Sequence, residues 1–218
     1  HFPVTTVELG VQSLSDAVLR RSRRGYAAVD VVEAVRKVRD RGWKLGLQLM
    51  AGLPGDRLKR FLASVQAAIE LAPDFVRIYP TLVLRDTTLA LWHSTGEYTP
   101  LTLEEGVEWT AAALERFEAH GVSVVRTGLH PDPELFRPGV VLGGPLHPAF
   151  GYLVRVRLWR DRVDRWCAAG DRPVAGERVV LRVPSRALSE VLGPRRGNLS
   201  YWCGRWGWSE VSVEGASD

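Results

Sequence analysis

Alternation of apolar and polar residues is cleanest at the start of the chain. From Thr5 to Val11, Val7, Leu9 and Val11 share one face, and Thr6, Glu8, Gly10 and Gln12 occupy the other, which predicts a half-buried strand. The spacing then shifts to that of a helix over Asp30 to Arg41. There Val31, Val35 and Val38 share a face, Asp30 with Glu33 forms the expected N-terminal cap, and Gly42 is the stop. Lys44 to Met50 alternates again, with Leu45, Leu47 and Leu49 opposite Gly46, Gln48 and Met50. Leu58, Phe61, Leu62, Val65 and Ile69 mark a second amphipathic helix. A third strand is expected over Phe75 to Thr81, with Arg77 and Tyr79 facing away from Val76 and Ile78. Thr102 with Glu105 caps a helix bearing Val107, Ala111, Leu114 and Phe117 that stops at Gly121, and Ser123 to Thr127 supplies a fourth strand.

This β-α-β-α-β-α-β order calls for parallel strands covered by helices, an α/β class. If such strands curl into a barrel, alternate residues face its interior. The valines and leucines suit the helix side, which leaves Glu8, Gln12, Gln48, Arg77, Tyr79 and Arg126 to line the inside. A polar interior reads as a substrate chamber. The predicted fold is a partial (β/α) barrel over 1–135, a Pro/Gly-rich connection without regular structure over 136–150, and a small α+β annex over 151–218. In that annex a strand is expected at Val179–Val183, a short helix from Ser185 to Leu192, and a last strand near Val211–Val213. The proline- and glycine-rich stretch itself starts earlier, at His130 and Pro131.

The 218 residues suffice for a proper core. No apolar run approaches the ~20 residues of a membrane helix. Two cysteines do not make a disulfide scaffold, so a cytoplasmic location is expected. The net charge of +4 comes with an arginine-rich tail, where Trp159, Trp166, Trp202, Trp206 and Trp208 interleave with Arg155, Arg157, Arg160, Arg162, Arg165 and Arg205. Such a surface can stack on bases and hold phosphates; the competing reading makes tryptophan the annex core and arginine its solvated shell. His93, His120, His130 and His147 lack metal-ligand spacing, and no metal site is expected in this chain.

Several local motifs carry chemistry. Val7-Glu8-Leu9-Gly10-Val11-Gln12-Ser13 ends the first strand in an amide, and Arg24-Gly25-Tyr26 follows it. Gly52-Leu53-Pro54-Gly55 closes the strand that carries Gln48, and Tyr79-Pro80-Thr81 closes the third. Read together, these residues resemble the radical S-adenosylmethionine (SAM) superfamily, in the branch of the elongator catalytic subunit and oxygen-independent coproporphyrinogen oxidase. The resemblance covers roughly residues 5–150. It implies the C-terminal half of a radical SAM barrel, with SAM cleaved at a 4Fe-4S cluster to start radical chemistry on a tRNA or a small molecule.

By that resemblance Gln12 lies near SAM, Arg24 pairs with its carboxylate, Gln48 approaches its ribose, and Gly52 and Pro54 shape the strand-end turn. Glu8, Arg77, Tyr79 and Arg126 would line the substrate chamber. Each has a plainer alternative. The amides can tie down turns, Arg24 can belong to a solvated cluster with Arg20, Arg21 and Arg23, Tyr79 can simply pack, and Glu8 can pair with Arg77 or Arg126. Tyr26 departs from the histidine often found in the family. The family's CxxxCxxC cluster loop is missing, since only Cys167 and Cys203 are present. The expectation is a piece of a longer enzyme, inactive alone, that needs an N-terminal barrel half or a complementing chain. The alternative is a cluster-less relative that binds RNA or acts as a scaffold through its Arg/Trp annex.

Overall fold

The computed structural model describes residues 3–130, 132–170 and 173–216; Pro131 lies outside them. The chain divides into two compact units, His1–Gly151 and Tyr152–Asp218.

The first unit opens with β1 (Thr6–Gln12), a short α1 (Asp16–Arg21) and α2 (Ala28–Arg39). Helix α2 starts two residues before the expected Asp30. Asp30 sits in its first turn, accepting from the Ala27 N–H at 2.7 Å, while the Asp16 carboxylate accepts from the Ala28 N–H at 2.8 Å. Asp30 thus keeps its expected capping role and shares it with Asp16, twelve positions upstream, while Glu33 pairs with Lys37 at 2.7 Å. Next come β2 (Lys44–Ala51), α3 (Leu58–Glu70), β3 (Phe75–Pro80), β4 (Val83–Leu84), α4 (Thr88–Ser94), α5 (Leu103–Ala119) and β5 (Ser123–Thr127). The Thr102–Glu105 capping box forms in both directions, at 3.2 and 2.8 Å.

Strands β1, β2, β3 and β5 form a four-stranded sheet in that order, every pair parallel. Right-handed crossovers between neighbours that advance in one direction put all their helices on one face. Accordingly Val11, Leu45, Leu47, Leu49, Val76 and Ile78 join Val31, Val35, Phe61, Val65 and Phe117 in a single buried cluster. The α/β class with a parallel sheet is what the chain adopts.

The segment expected to lack regular structure does not. Pro133–Phe136 makes a turn of 3-10 helix, and β6 (Val141–Gly143) pairs antiparallel with β4. The glycines allow this approach. At Gly144, φ is +103°, and a Cβ would stand 2.6 Å from the Thr81 carbonyl oxygen. The 136–150 stretch thus belongs to the first compact unit.

Helix α6 (Phe150–Ala168) leads into the second unit, which continues with β7 (Arg178–Pro184), α7 (Leu188–Leu192), α8 (Gly197–Trp206) and β8 (Glu210–Ala216). Strands β7 and β8 pair in parallel along their full length. Trp202, Trp208, Val179, Val191 and Val211 form the core with Cys167. Tryptophan here is mainly interior or hydrogen-bonded. Trp159 Nε1 donates to Glu190 at 3.1 Å and Trp206 Nε1 to Asp164 at 2.9 Å. Arg160 lies over the Tyr201 ring, Arg162 over Trp159 and Arg205 over Trp206. Those rings are engaged by the annex's own arginines.

Candidate functional site

The residues singled out in the sequence gather on the sheet face opposite the helices and at the carboxyl ends of its strands. Parallel α/β sheets bind ligands at that end. The end of β1 is distorted. Leu9 pairs with Leu47 but Gln12 with Leu49, so β1 spends one extra residue there, and Gln12 has a φ of +63°. Strained backbone of this kind clusters at functional sites. The bulge swings the Gln12 amide back over Gly10, where a Cβ would stand 2.8 Å from its Nε2. Gln12 Nε2 then donates to Gln48 Oε1 at 3.1 Å, and Gln48 Nε2 donates to the Leu49 carbonyl at 3.0 Å. The pair leaves the Gln12 amide oxygen without a partner among the described residues.

Tyr26 takes a structural part in this arrangement. Its hydroxyl lies 3.0 Å from the Gly10 carbonyl and 3.1 Å from that of Val11, which secures the bulge, and burial raises its pKa. Ser13 Oγ is 3.2 Å from Ser64 Oγ, which fastens the next residue to α3.

Arg24 is exposed and lies on a different part of the rim. It lines a cavity of about 350 Å³ with Arg23, Leu53, Pro54, Thr87 and Trp92. Arg23, also exposed, stacks on Trp92 at 4.7 Å from the ring centre. Gly52 and Gly55 have φ of +80° and +78°, which shape the Gly-Leu-Pro-Gly turn. Tyr98, which the sequence offered no reason to single out, donates its buried hydroxyl to the Gly52 carbonyl at 2.6 Å. Burial, and then the nearby Asp56 charge, drive the Tyr98 pKa well above its ordinary value. Only tertiary contact reveals Tyr98, because it arrives from a loop 46 residues away in sequence.

Within the sheet, the ion pair expected of Glu8 forms with Arg77, Nε to Oε2 at 3.4 Å, and spans the intervening β2. Arg77 Nη1 also reaches the Tyr79 hydroxyl at 3.5 Å. Arg126 is opposite Arg77 in register, but its guanidinium turns to His130 Nδ1 at 3.2 Å. Two groupings result, the Gln12–Gln48 amides and the Glu8–Arg77–Tyr79 chain, while Arg24 and Pro54 share the rim cavity.

Asp56, just after the turn, was also missed. Burial pushes its carboxyl up from 3.8 to about 6, and its Oδ2 has no hydrogen-bond partner among the described residues. The native chain therefore holds this proton more tightly than the unfolded chain. The resulting stabilisation is present below about pH 4 and is lost as pH rises through about 6. Asp56→Asn is expected to stabilise the protein at pH 7 by about 1–2 kcal/mol, allowing for partial solvent screening. Urea denaturation from pH 4 to 7 checks this: the variant should lose the downward trend that the parent shows over that range.

Residues 73–160 match the family model described as the Radical_SAM C-terminal domain. Among curated proteins, the chain is similar to the tRNA uridine(34) acetyltransferase of Methanocaldococcus infernus, with 36% identity over 107 residues, 48% of this chain and 20% of that protein. The enzyme of the same name from Dehalococcoides mccartyi is 39% identical over 45% of this chain and 22% of its own length. Human elongator complex protein 3 is 35% identical over 50% of this chain and 21% of its own. The chain thus spans about a fifth of the length of these relatives. Among solved structures, the archaeal Methanocaldococcus infernus Elp3 with an N-terminal deletion superposes with a TM-score of 0.65 at 28% identity, covering 72% of this chain and 36% of that one. With the strand-end motifs and the parallel sheet in place, these likenesses support a relationship to the C-terminal part of radical SAM superfamily proteins, in the branch of the elongator catalytic subunit.

Proposed function

We propose that residues 1–135 are the C-terminal half of a radical SAM (β/α) barrel and supply most of the SAM cradle and part of the substrate chamber of a larger enzyme. The observation that carries this reading is the bulge at Gln12. It presents a fixed pair of amides at the carboxyl end of a parallel sheet, on the polar face and next to the Gly-Leu-Pro-Gly turn. The sequential strand order with helices on one face suits a barrel segment. Strand β1 is an edge, and beside it Leu9, Val11, Tyr26 and Val31 line an apolar cavity of about 230 Å³. A preceding barrel half, from this protein or a complementing chain, would cover that edge.

The residues fit SAM better than they fit a cluster. For SAM, Arg24 offers a guanidinium fork for a carboxylate, and Gln12 and Gln48 offer amides for hydroxyl and amino groups. Gly52 and Pro54 set the turn against which the ligand would lie. When bound, SAM supplies a reductively cleavable sulfonium for radical chemistry. A 4Fe-4S cluster does not fit this chain. Cys167 is buried in the annex core, Cys203 also lies in the annex, and no three His, Cys, Asp or Glu side chains converge among the described residues. Ligands for a cluster would come from elsewhere in the intact enzyme, and this chain alone is expected to be inactive.

Glu8, Arg77 and Tyr79 would orient substrate from the sheet face, with Arg126 contributing once released from His130. The relatives named as tRNA uridine(34) acetyltransferases favour a tRNA as substrate over a small molecule.

Calorimetric titration of SAM into the 218-residue chain tests the cradle. Arg24→Ala should weaken binding about tenfold, the loss of one charge-assisted contact, and Arg24→Lys should recover only part of it. A chain that takes up no SAM, or whose affinity ignores both substitutions, sinks the assignment.

A further inference from the structure

The second unit holds a feature that SAM chemistry does not use. Its order is strand, helix, tight turn, helix, strand, with the two strands parallel neighbours. The turn is Gly193-Pro194-Arg195-Arg196-Gly197. Gly193 is buried with a φ of +70°, and Arg195 and Arg196 follow at +51° and +59°. Two successive non-glycine residues in the left-handed region are uncommon and persist only where the surroundings enforce them.

Within the turn the Arg196 N–H donates to the Gly193 carbonyl at 3.1 Å, and Asn198, fully buried just after it, anchors the start of α8. Its amide nitrogen donates to the Val191 carbonyl at 3.0 Å and the Val156 carbonyl at 3.2 Å, and its oxygen accepts from Arg160 Nε at 2.9 Å. A Cβ on Gly193 would press on Val156 and on Asn198 itself, at 3.0 and 3.4 Å. The turn is thus flanked by a closely packed glycine and an anchored helix start, while both arginine side chains are exposed and meet no carboxylate among the described residues. Most other exposed arginines of this unit are engaged: Arg178 and Arg182, for example, pair with Glu210 and Glu214 across the strands.

Charge is also lopsided. Residues 1–151 contain 17 basic and 17 acidic side chains, whereas residues 152–218 contain 12 arginines and 8 carboxylates. The whole net charge of +4 belongs to the second unit.

In KH domains a Gly-x-x-Gly loop clamps a short run of single-stranded backbone, and a fixed glycine turn that presents two exposed guanidiniums offers phosphates the same kind of contact. We propose that the second unit binds single-stranded RNA on this turn, with Arg195 and Arg196 contacting successive phosphates. The chain departs from the Gly-x-x-Gly pattern at its fourth position, where Arg196 keeps the left-handed backbone that glycine adopts freely and adds a guanidinium. The engaged tryptophans are not needed as base-stacking platforms. The choice of RNA over DNA rests on the reading of the first unit; the clamp itself does not.

Fluorescence anisotropy with the full chain and a labelled RNA of about 12 nucleotides tests the proposal. Arg195→Gly/Arg196→Gly removes both cations and suits the backbone, so the fold is retained, which circular dichroism verifies. Affinity should fall about tenfold or more, and the slope of log K against log salt should shrink by about 1.4 for two lost phosphate contacts. The control Arg178→Gln/Arg182→Gln carries the same charge change and should stay within about twofold of the parent. No binding by the parent chain, or equal losses in both variants, overturns the clamp. Tighter binding to the same sequence as DNA overturns the assignment to RNA. SAM is absent from every arm, so failure here leaves the cradle untouched and failure of the cradle leaves the clamp untouched.

Discussion

Trp202→Ala is expected to cost the second unit about 3–5 kcal/mol, enough to abolish its folding. Trp202 is fully buried on α8, packed with Val179, Val191, Trp208 and Val211, and it is the largest fully buried side chain among the described residues. A unit of this size buries little apolar surface, so one such side chain is a large share of its stability. Its indole nitrogen is buried with no hydrogen-bond partner among the described residues. That gives the test a sharper arm. An unsatisfied buried N–H costs about 1–3 kcal/mol, and Trp202→Phe sheds that cost while losing part of the packing. The phenylalanine variant should therefore lie within about 1 kcal/mol of the parent. Thermal denaturation followed by circular dichroism reads both: a lost transition for alanine and a near-unchanged midpoint for phenylalanine. Equal losses in the two variants would show that the nitrogen is bonded after all.

Phe61→Ala should remove about 3–5 kcal/mol from the first unit. Phe61 is 1% exposed on α3 and stacks on Trp109 of α5 with ring centres 6.0 Å apart. Its removal empties the seam that holds α3 against α5. The consequence reaches the candidate site through Ser64, one turn along α3, whose hydroxyl receives the Leu14 N–H at 3.2 Å and meets Ser13 just past the Gln12 bulge. SAM affinity should fall along with stability. Phe61→Leu, which keeps most of the volume, should recover both. Denaturant titration alongside SAM calorimetry separates the outcomes; affinity that survives the alanine change would mean that the bulge is held without α3.

Much of the first unit could be read from period alone. Alternation placed Leu45, Leu47 and Leu49 on the helix side and Gln48 on the polar side, since one buried face fixes register. The Thr102–Glu105 cap was visible as well, because both of its partners lie within one turn. The Asp16 cap on α2 was not, because its acceptor comes from another helix. Regular structure over 133–143 was hidden by prolines and glycines whose usual meaning is an irregular loop; here Gly144 lets the chain pass close to Thr81. In the annex, the strands and the helix from Ser185 showed as apolar runs. The long α6 did not, because its apolar residues do not confine themselves to one narrow stripe.

Local periodicity and short motifs carried the resemblance to the radical SAM superfamily, the parallel α/β order and the roster of polar residues along the strand ends. Tertiary structure alone decided which of those residues meet. The bulge brings Gln12 to Gln48, the sheet carries Glu8 across to Arg77, and Arg24 goes to a separate rim cavity with Arg23 and Trp92. It also decided the parallel pairing of β7 with β8 and the left-handed backbone of Arg195 and Arg196. Pairings between distant segments depend on packing that no local window contains, and the shape of both candidate sites depends on those pairings.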